Sequence, residues 1–173
     1  MKTKSITSIT YVLIGNMLLI YNSIGSGWTA TLTAMFGLIL FFVGLSSLKS
    51  FLDEIGQNGI NKLIWAAILG ILASVFSFIP IVGSIPAGLL NLIAFILQIV
   101  GLLNLKKSVR LGELGANGVN YLLLAMGIML IASFLSIIPF IGGYFKEVIS
   151  FIAFILIPFG WLKIQEALII EAF

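Results

Sequence analysis

Among the uncharged polar side chains that interrupt long apolar runs in this sequence are Asn16, Ser74, Asn91, Gln98 and Ser133. Amides and hydroxyls exchange hydrogen bonds with a neutral group or with a neighbouring helix. Without a general base beside them they do not attack or transfer protons. The rest of the inventory narrows the chemistry further. With no His and no Cys, imidazole and thiolate catalysis, disulfides and ordinary zinc sites are excluded. The carboxylates are Asp53, Glu54, Glu113, Glu147, Glu166 and Glu171. They fall near the ends of the apolar runs, with no nucleophile or metal cluster beside them. A net charge of +3 from nine basic residues is too small for a nucleic-acid surface. The sequence offers no catalytic residue, no cofactor-binding residue and no metal ligand, and it predicts no enzyme, no cofactor and no nucleic-acid partner.

Polar groups in such surroundings must be positioned by elements that live in lipid. Hydrophobic residues make up 61% of the 173 residues and charged residues 9%, with mean hydropathy +1.24. A soluble domain carries about 25% charged residues, so the composition predicts an all-α integral membrane protein whose first partner is the bilayer. About 20 apolar residues cross the hydrocarbon core as a helix. The runs Ser8–Ile24, Thr29–Leu48, Leu63–Ile79, Ala87–Leu105, Val119–Ile138 and Glu147–Ile164 predict six spans in one domain over residues 1–173. Barrel strands would alternate polar and apolar residues, and these runs do not. The N-terminal MKTKSITSITYVLIGNMLLI reads as a retained first helix rather than a signal peptide.

Basic residues orient the spans. In a six-span arrangement Lys2, Lys4, Lys49, Lys62, Lys106, Lys107, Arg110 and Lys163 fall on one side and Lys146 on the other. Cytoplasmic loops carry the basic excess, so both termini are predicted to be cytoplasmic in a multi-pass protein of the plasma (inner) membrane. The mixed segments 49–62 and 106–120 are predicted to extend the second and fourth helices into the interface. Lys106, Lys107 and Arg110 would there contact lipid headgroups.

The chain also repeats itself. IGQNGINKLIWAAILGILASVFSFIPIVG (Ile55–Gly83) lies over LGANGVNYLLLAMGIMLIASFLSIIPFIG (Leu114–Gly142) without a gap, 59 residues on. IAFIL at Ile93–Leu97 recurs at Ile152–Leu156, and VGL at Val43–Leu45 matches Val100–Leu102 in a more divergent first copy. Internal repeats decide architecture. They predict three two-helix hairpins, about 8–49, 55–108 and 114–167, inserted in parallel with pseudo-threefold packing about the membrane normal. Pro80 and Pro139 are predicted to end helices at Ile79 and Ile138. Gly25, Gly83 and Gly142 are predicted to supply the backbone sign change of each turn. With NGIN at Asn58–Asn61 and NGVN at Asn117–Asn120 opening apolar helices, the chain resembles a family of small prokaryotic multi-span membrane proteins of unknown function. The resemblance implies membrane residence.

A stripe of small residues recurs on the even-numbered helices: Gly37 and Gly44, then Ala94 and Gly101, then Ala153 and Gly160. Small residues let helix backbones approach in lipid, so these six are candidate packing positions. Asn16, Ser74, Asn91, Gln98 and Ser133 are expected to point into the bundle, because polar groups facing hydrocarbon are costly. Pro158 is expected to kink the sixth helix. Two functions compete. One is a structural or accessory protein, a subunit of a larger membrane complex or a homo-oligomer. The alternative is a small channel or transporter for a neutral solute. A bundle axis filled with side chains favours the first, and a water-wide cavity favours the second.

Overall fold

The structure, a computed structural model, describes residues 2–24, 28–77, 79, 83–135, 138 and 142–170. These form six α-helices: α1 (Lys2–Ile24), α2 (Trp28–Leu48), α3 (Glu54–Ser77), α4 (Ser84–Lys106), α5 (Gly112–Leu135) and α6 (Gly142–Ile170). One-turn 3-10 segments at Lys49–Phe51 and Val109–Leu111 join α2 to α3 and α4 to α5. The helices pack in sequential pairs, α1 on α2, α3 on α4 and α5 on α6. Thinner contacts of α2 with α3, α4 with α5 and α6 with α1 close them into a ring.

Among the described residues five segments are long and apolar enough to cross a membrane: Leu32–Phe51, Glu54–Phe76, Ser84–Lys106, Val109–Leu135 and Phe145–Ile170. Among the described residues of α1 the apolar stretch is the shorter Ile6–Leu19. That helix carries Ser5, Thr7, Ser8 and Thr10 in its first turns, which weakens its signal. Phe36, Trp65, Phe134 and Phe151 stand exposed on the outer surface, an apolar mantle suited to hydrocarbon rather than water. The chain is a helical, membrane-embedded protein.

Helix boundaries depart from the apolar runs in a consistent direction. Of the polar segments 49–62 and 106–120, Lys49–Phe51 continues from α2 as a 3-10 turn and Lys106 ends α4, while residues 54–62 and 112–120 open α3 and α5. Local chemistry explains why. Asp53 accepts the Gly56 N–H on Oδ1 at 3.4 Å, satisfying a donor of the first turn as an N-cap. Acidic Glu54 follows, where the helix dipole favours it. At α5, Gly112 has φ 55°, a left-handed geometry that glycine adopts without strain. At their far ends α3 stops at Ser77 and α5 at Leu135, short of Ile79 and Ile138. Pro80, Pro139 and Gly25 lie outside the described residues. Gly83 corrects another expectation, for its φ of −73° is ordinary right-handed backbone. Glycine is required there by crowding: a Cβ would stand 1.9 Å from the Phe76 carbonyl oxygen. Pro158 lies inside α6, where it removes the N–H that would bond the Phe154 carbonyl.

Candidate functional site

The half of the ring nearer the termini is packed with buried apolar side chains. Ile9, Val12, Leu45, Leu48, Ile60, Leu105, Val119 and Ile164 are fully buried there, with Leu63, Leu102, Leu122 and Trp161 above them. Ser8, the one polar member of the largest fully buried side chains described, shares a 2.6 Å hydrogen bond with Ser47 and donates to the Lys4 carbonyl.

Beyond this floor a cavity of about 320 Å³ opens in the middle of the ring, in the size range of small-molecule sites. All six helices line it: Asn16 and Leu19 from α1, Phe41 from α2, Leu63 and Ala67 from α3, Gln98 and Leu102 from α4. Leu122, Met126 and Met129 come from α5, with Phe154, Ile157 and Trp161 from α6. Gln98 and Ile157, and likewise Ala67 and Met126, are 59 residues apart in the sequence and line the same cavity. The wall holds no charge. Its polar side chains are two amides and an indole, in an apolar setting that includes two flexible thioethers able to adapt to shape. Such a site can hold a neutral molecule by apolar contact and orient it through one or two hydrogen bonds.

Asn16 and Gln98 therefore come together, as expected of bundle-interior polar residues. The Asn16 amide nitrogen donates to the Val12 carbonyl at 3.1 Å, which leaves its amide oxygen as an acceptor. Ser74, Asn91 and Ser133 do not line the cavity and are exposed, each seven residues, and so about 20° around its helix, from a lining residue: Ala67, Gln98 and Met126 respectively. The serine hydroxyls bond back along their own helices, to the Gly70 and Met129 carbonyls at 2.9 Å each.

The small-residue positions sit between paired backbones. Gly37, Gly44, Gly101 and Gly160 are buried, as are Ala94 and Ala153. A Cβ on Gly37 would come within 2.9 Å of the Gly15 carbonyl oxygen, and one on Gly44 within 2.6 Å of the Val12 nitrogen. Their partners Gly15, Gly59 and Gly118 are not on the predicted stripe; the last two are the glycines of the NGIN and NGVN repeats.

A second polar arrangement sits at the end nearer the termini. Asp53 accepts from the Ser108 hydroxyl and, at 3.3 Å, from the Val109 N–H, tying the α2–α3 joint to the α4–α5 joint. Partial burial alone would raise the Asp53 pKa. The Ser108 hydroxyl and the Val109 and Gly56 N–H groups outweigh that and hold it below the ordinary value of 3.8. Lys106, Lys107 and Arg110 are exposed around this clasp. Sequence spacing gave no sign of it, because its partners are 55 residues apart. Comparison of the chain with family models, characterised proteins and solved structures gives no match.

Proposed function

We propose that this chain is a non-enzymatic, multi-pass protein of the plasma (inner) membrane that holds a neutral, largely apolar solute in a central cup. The observation that carries this reading is the cavity of about 320 Å³, floored by packed side chains and walled by all six helices without a charge. In this arrangement the six helices span the bilayer as three parallel hairpins about a common pseudo-threefold axis. Both termini are cytoplasmic, so the packed floor faces the cytoplasm and the cup opens outward. A floored cup suits binding and release on one side, as in a solute-binding or transport step. It does not suit a permanently open pore.

Trp161 in the cup wall provides the test. A Trp28→Phe, Trp65→Phe variant in lipid nanodiscs leaves Trp161 as the fluorophore, and a brominated medium-chain alcohol serves as quencher. Saturable quenching that disappears in an added Ala67→Phe change supports the cup. Quenching that rises linearly and ignores Ala67→Phe sinks it.

A second reading, an accessory subunit or homo-oligomer, is favoured by the exposed Lys106, Lys107 and Arg110 around the Asp53 clasp. A cationic, rigidly held joint could dock a partner as well as headgroups. Crosslinking from this joint in native membranes would capture a stoichiometric partner if this reading holds, and lipid alone if it does not.

A further inference from the structure

The NGVN motif leaves something that the central cup does not use. Its glycine packs against α6, while Asn117 and Asn120 are exposed on the outer surface of α5. There they line a separate groove of about 310 Å³ with Leu114, Tyr121, Leu124 and Lys163. Residues 117, 120, 121 and 124 follow helical spacing along one face. Along that face the chemistry grades from two amides through a phenol to leucine as α5 enters the membrane. A phospholipid has the same order, from headgroup to ester region to acyl chain, and Tyr favours the boundary between them.

Charge narrows the headgroup. The Lys163 Nζ stands 2.8 Å from Glu166 Oε2, and both side chains are about half exposed. Lys163 lines the groove and its ion-pair partner Glu166 stands beside it on α6, so a cation and an anion lie side by side at the groove's edge. A singly anionic headgroup would meet the carboxylate as well as the ammonium. A headgroup carrying a phosphate and a primary ammonium can satisfy both, the phosphate accepting from Lys163 and the asparagine amides, the ammonium donating to Glu166 and the asparagine carbonyls. The corresponding face of the preceding helix pair lacks this balance. There Lys62 stands where Tyr121 is, Asn104 where Lys163 is, and Lys107 where Glu166 is. Lys62 is bonded at 2.6 Å to Asn58.

We propose that the groove between α5 and α6 is a binding site for a zwitterionic, amine-bearing phospholipid, seated by Asn117, Asn120, Lys163 and Glu166 with an acyl chain along Leu124. The site is on the lipid-facing surface and is independent of the cup.

Lipid titration of the purified full-length protein in detergent, read by native mass spectrometry, tests this. Phosphatidylethanolamine should bind more tightly than phosphatidylcholine or phosphatidylglycerol. Lys163→Gln should weaken it by about tenfold or more, the effect of losing one charge-assisted hydrogen bond. Glu166→Gln should abolish the preference over phosphatidylglycerol. Lys62→Gln, on the other helix pair, should change neither. Equal affinity for the three lipids in the unmodified protein, or a Lys163→Gln variant that binds as before, overturns the proposal. So does glycerophosphoethanolamine competing as well as the intact lipid, which would identify a soluble ligand. If Lys163→Gln does not fold, Glu166→Gln decides by the same measurement.

Discussion

Gly59 and Gly101 face each other so closely that a Cβ on Gly59 would stand 2.7 Å from the Gly101 carbonyl oxygen, and one on Gly101 2.9 Å from the Gly59 carbonyl oxygen. The relation returns 59 residues later, where the same constructions give 2.6 Å from Gly118 to the Gly160 oxygen and 2.8 Å in reverse. Gly15 and Gly37 form a third such pair at 2.7 and 2.9 Å. In each case one helix backbone rests on the other. Between helices in lipid, van der Waals packing takes over much of the role of the hydrophobic effect, so these contacts hold each pair together.

Gly101→Ile and Gly160→Ile should each lower the thermal stability of the detergent-solubilised protein, since overpacking costs about 1–3 kcal/mol. Gly88 and Gly127 provide the contrast, for a Cβ on either meets nothing within 4 Å. Alanine there should be neutral or stabilising by up to about 1 kcal/mol through helix propensity. A double Gly101→Ile, Gly160→Ile variant with unchanged Tm would show that the helices do not depend on this approach.

The Asp53 clasp should make the joint sensitive to acid. Its carboxyl has a folded-state pKa below the ordinary 3.8, so the folded chain favours the ionised form. The resulting stabilisation is present above that ordinary value and is lost as pH falls through the lowered one. Melting curves taken downward from pH about 5 should therefore decline more for the unmodified protein than for Asp53→Asn. At neutral pH Asp53→Ala should cost about 0.5–2 kcal/mol through the lost cap. Parallel acid profiles for the two proteins would remove the clasp from the account.

Orientation is open to chemical labelling because the chain has no native cysteine. Ser84→Cys at the start of α4 should react with an impermeant reagent in intact cells. Val109→Cys, at an exposed joint residue, should react after permeabilisation. Ser108 is a poor reporter, being 3% exposed. The reverse labelling pattern would invert the proposed topology and turn the cup toward the cytoplasm.

What could be read in advance followed from covalent and compositional facts. Apolar runs gave the helices, and a residue such as Gly101 or Gly160 announced itself through recurrence at a fixed position. Polarity picked out Asn16 and Gln98, which line the cavity, and equally Ser74 and Ser133, which are exposed, bond back to their own helices and do not line it. Ala67 and Met126 line the cup yet carry no signal, since nothing distinguishes them from any other apolar residue in a membrane helix. Gly59 and Gly118 were visible as parts of a repeated motif at the start of a helix; that they touch Gly101 and Gly160 depends on how two helices are rotated. The start of α3 depended on Asp53 as a cap, while an apolar count begins only where charges end.

Gln98 lines the cup from α4, and the 57- and 59-residue sequence offsets pair it with two apolar lining residues. These are Phe41 on α2 and Ile157 on α6. Replacing an amide with a similar-sized apolar group in such a wall removes no packing, and leaves no buried donor stranded. Gln98→Leu should therefore keep or raise the thermal stability of the protein. If the amide orients a bound hydroxyl, the same change should weaken binding of the brominated alcohol to the Trp161 reporter by about threefold to tenfold, the range of one neutral hydrogen bond. Ala67→Phe should weaken it by blocking space, and should do the same to a brominated alkane without a hydroxyl. Gln98→Leu should spare the alkane. Loss of both probes in Gln98→Leu would mean that the amide shapes the cup and does not select its occupant.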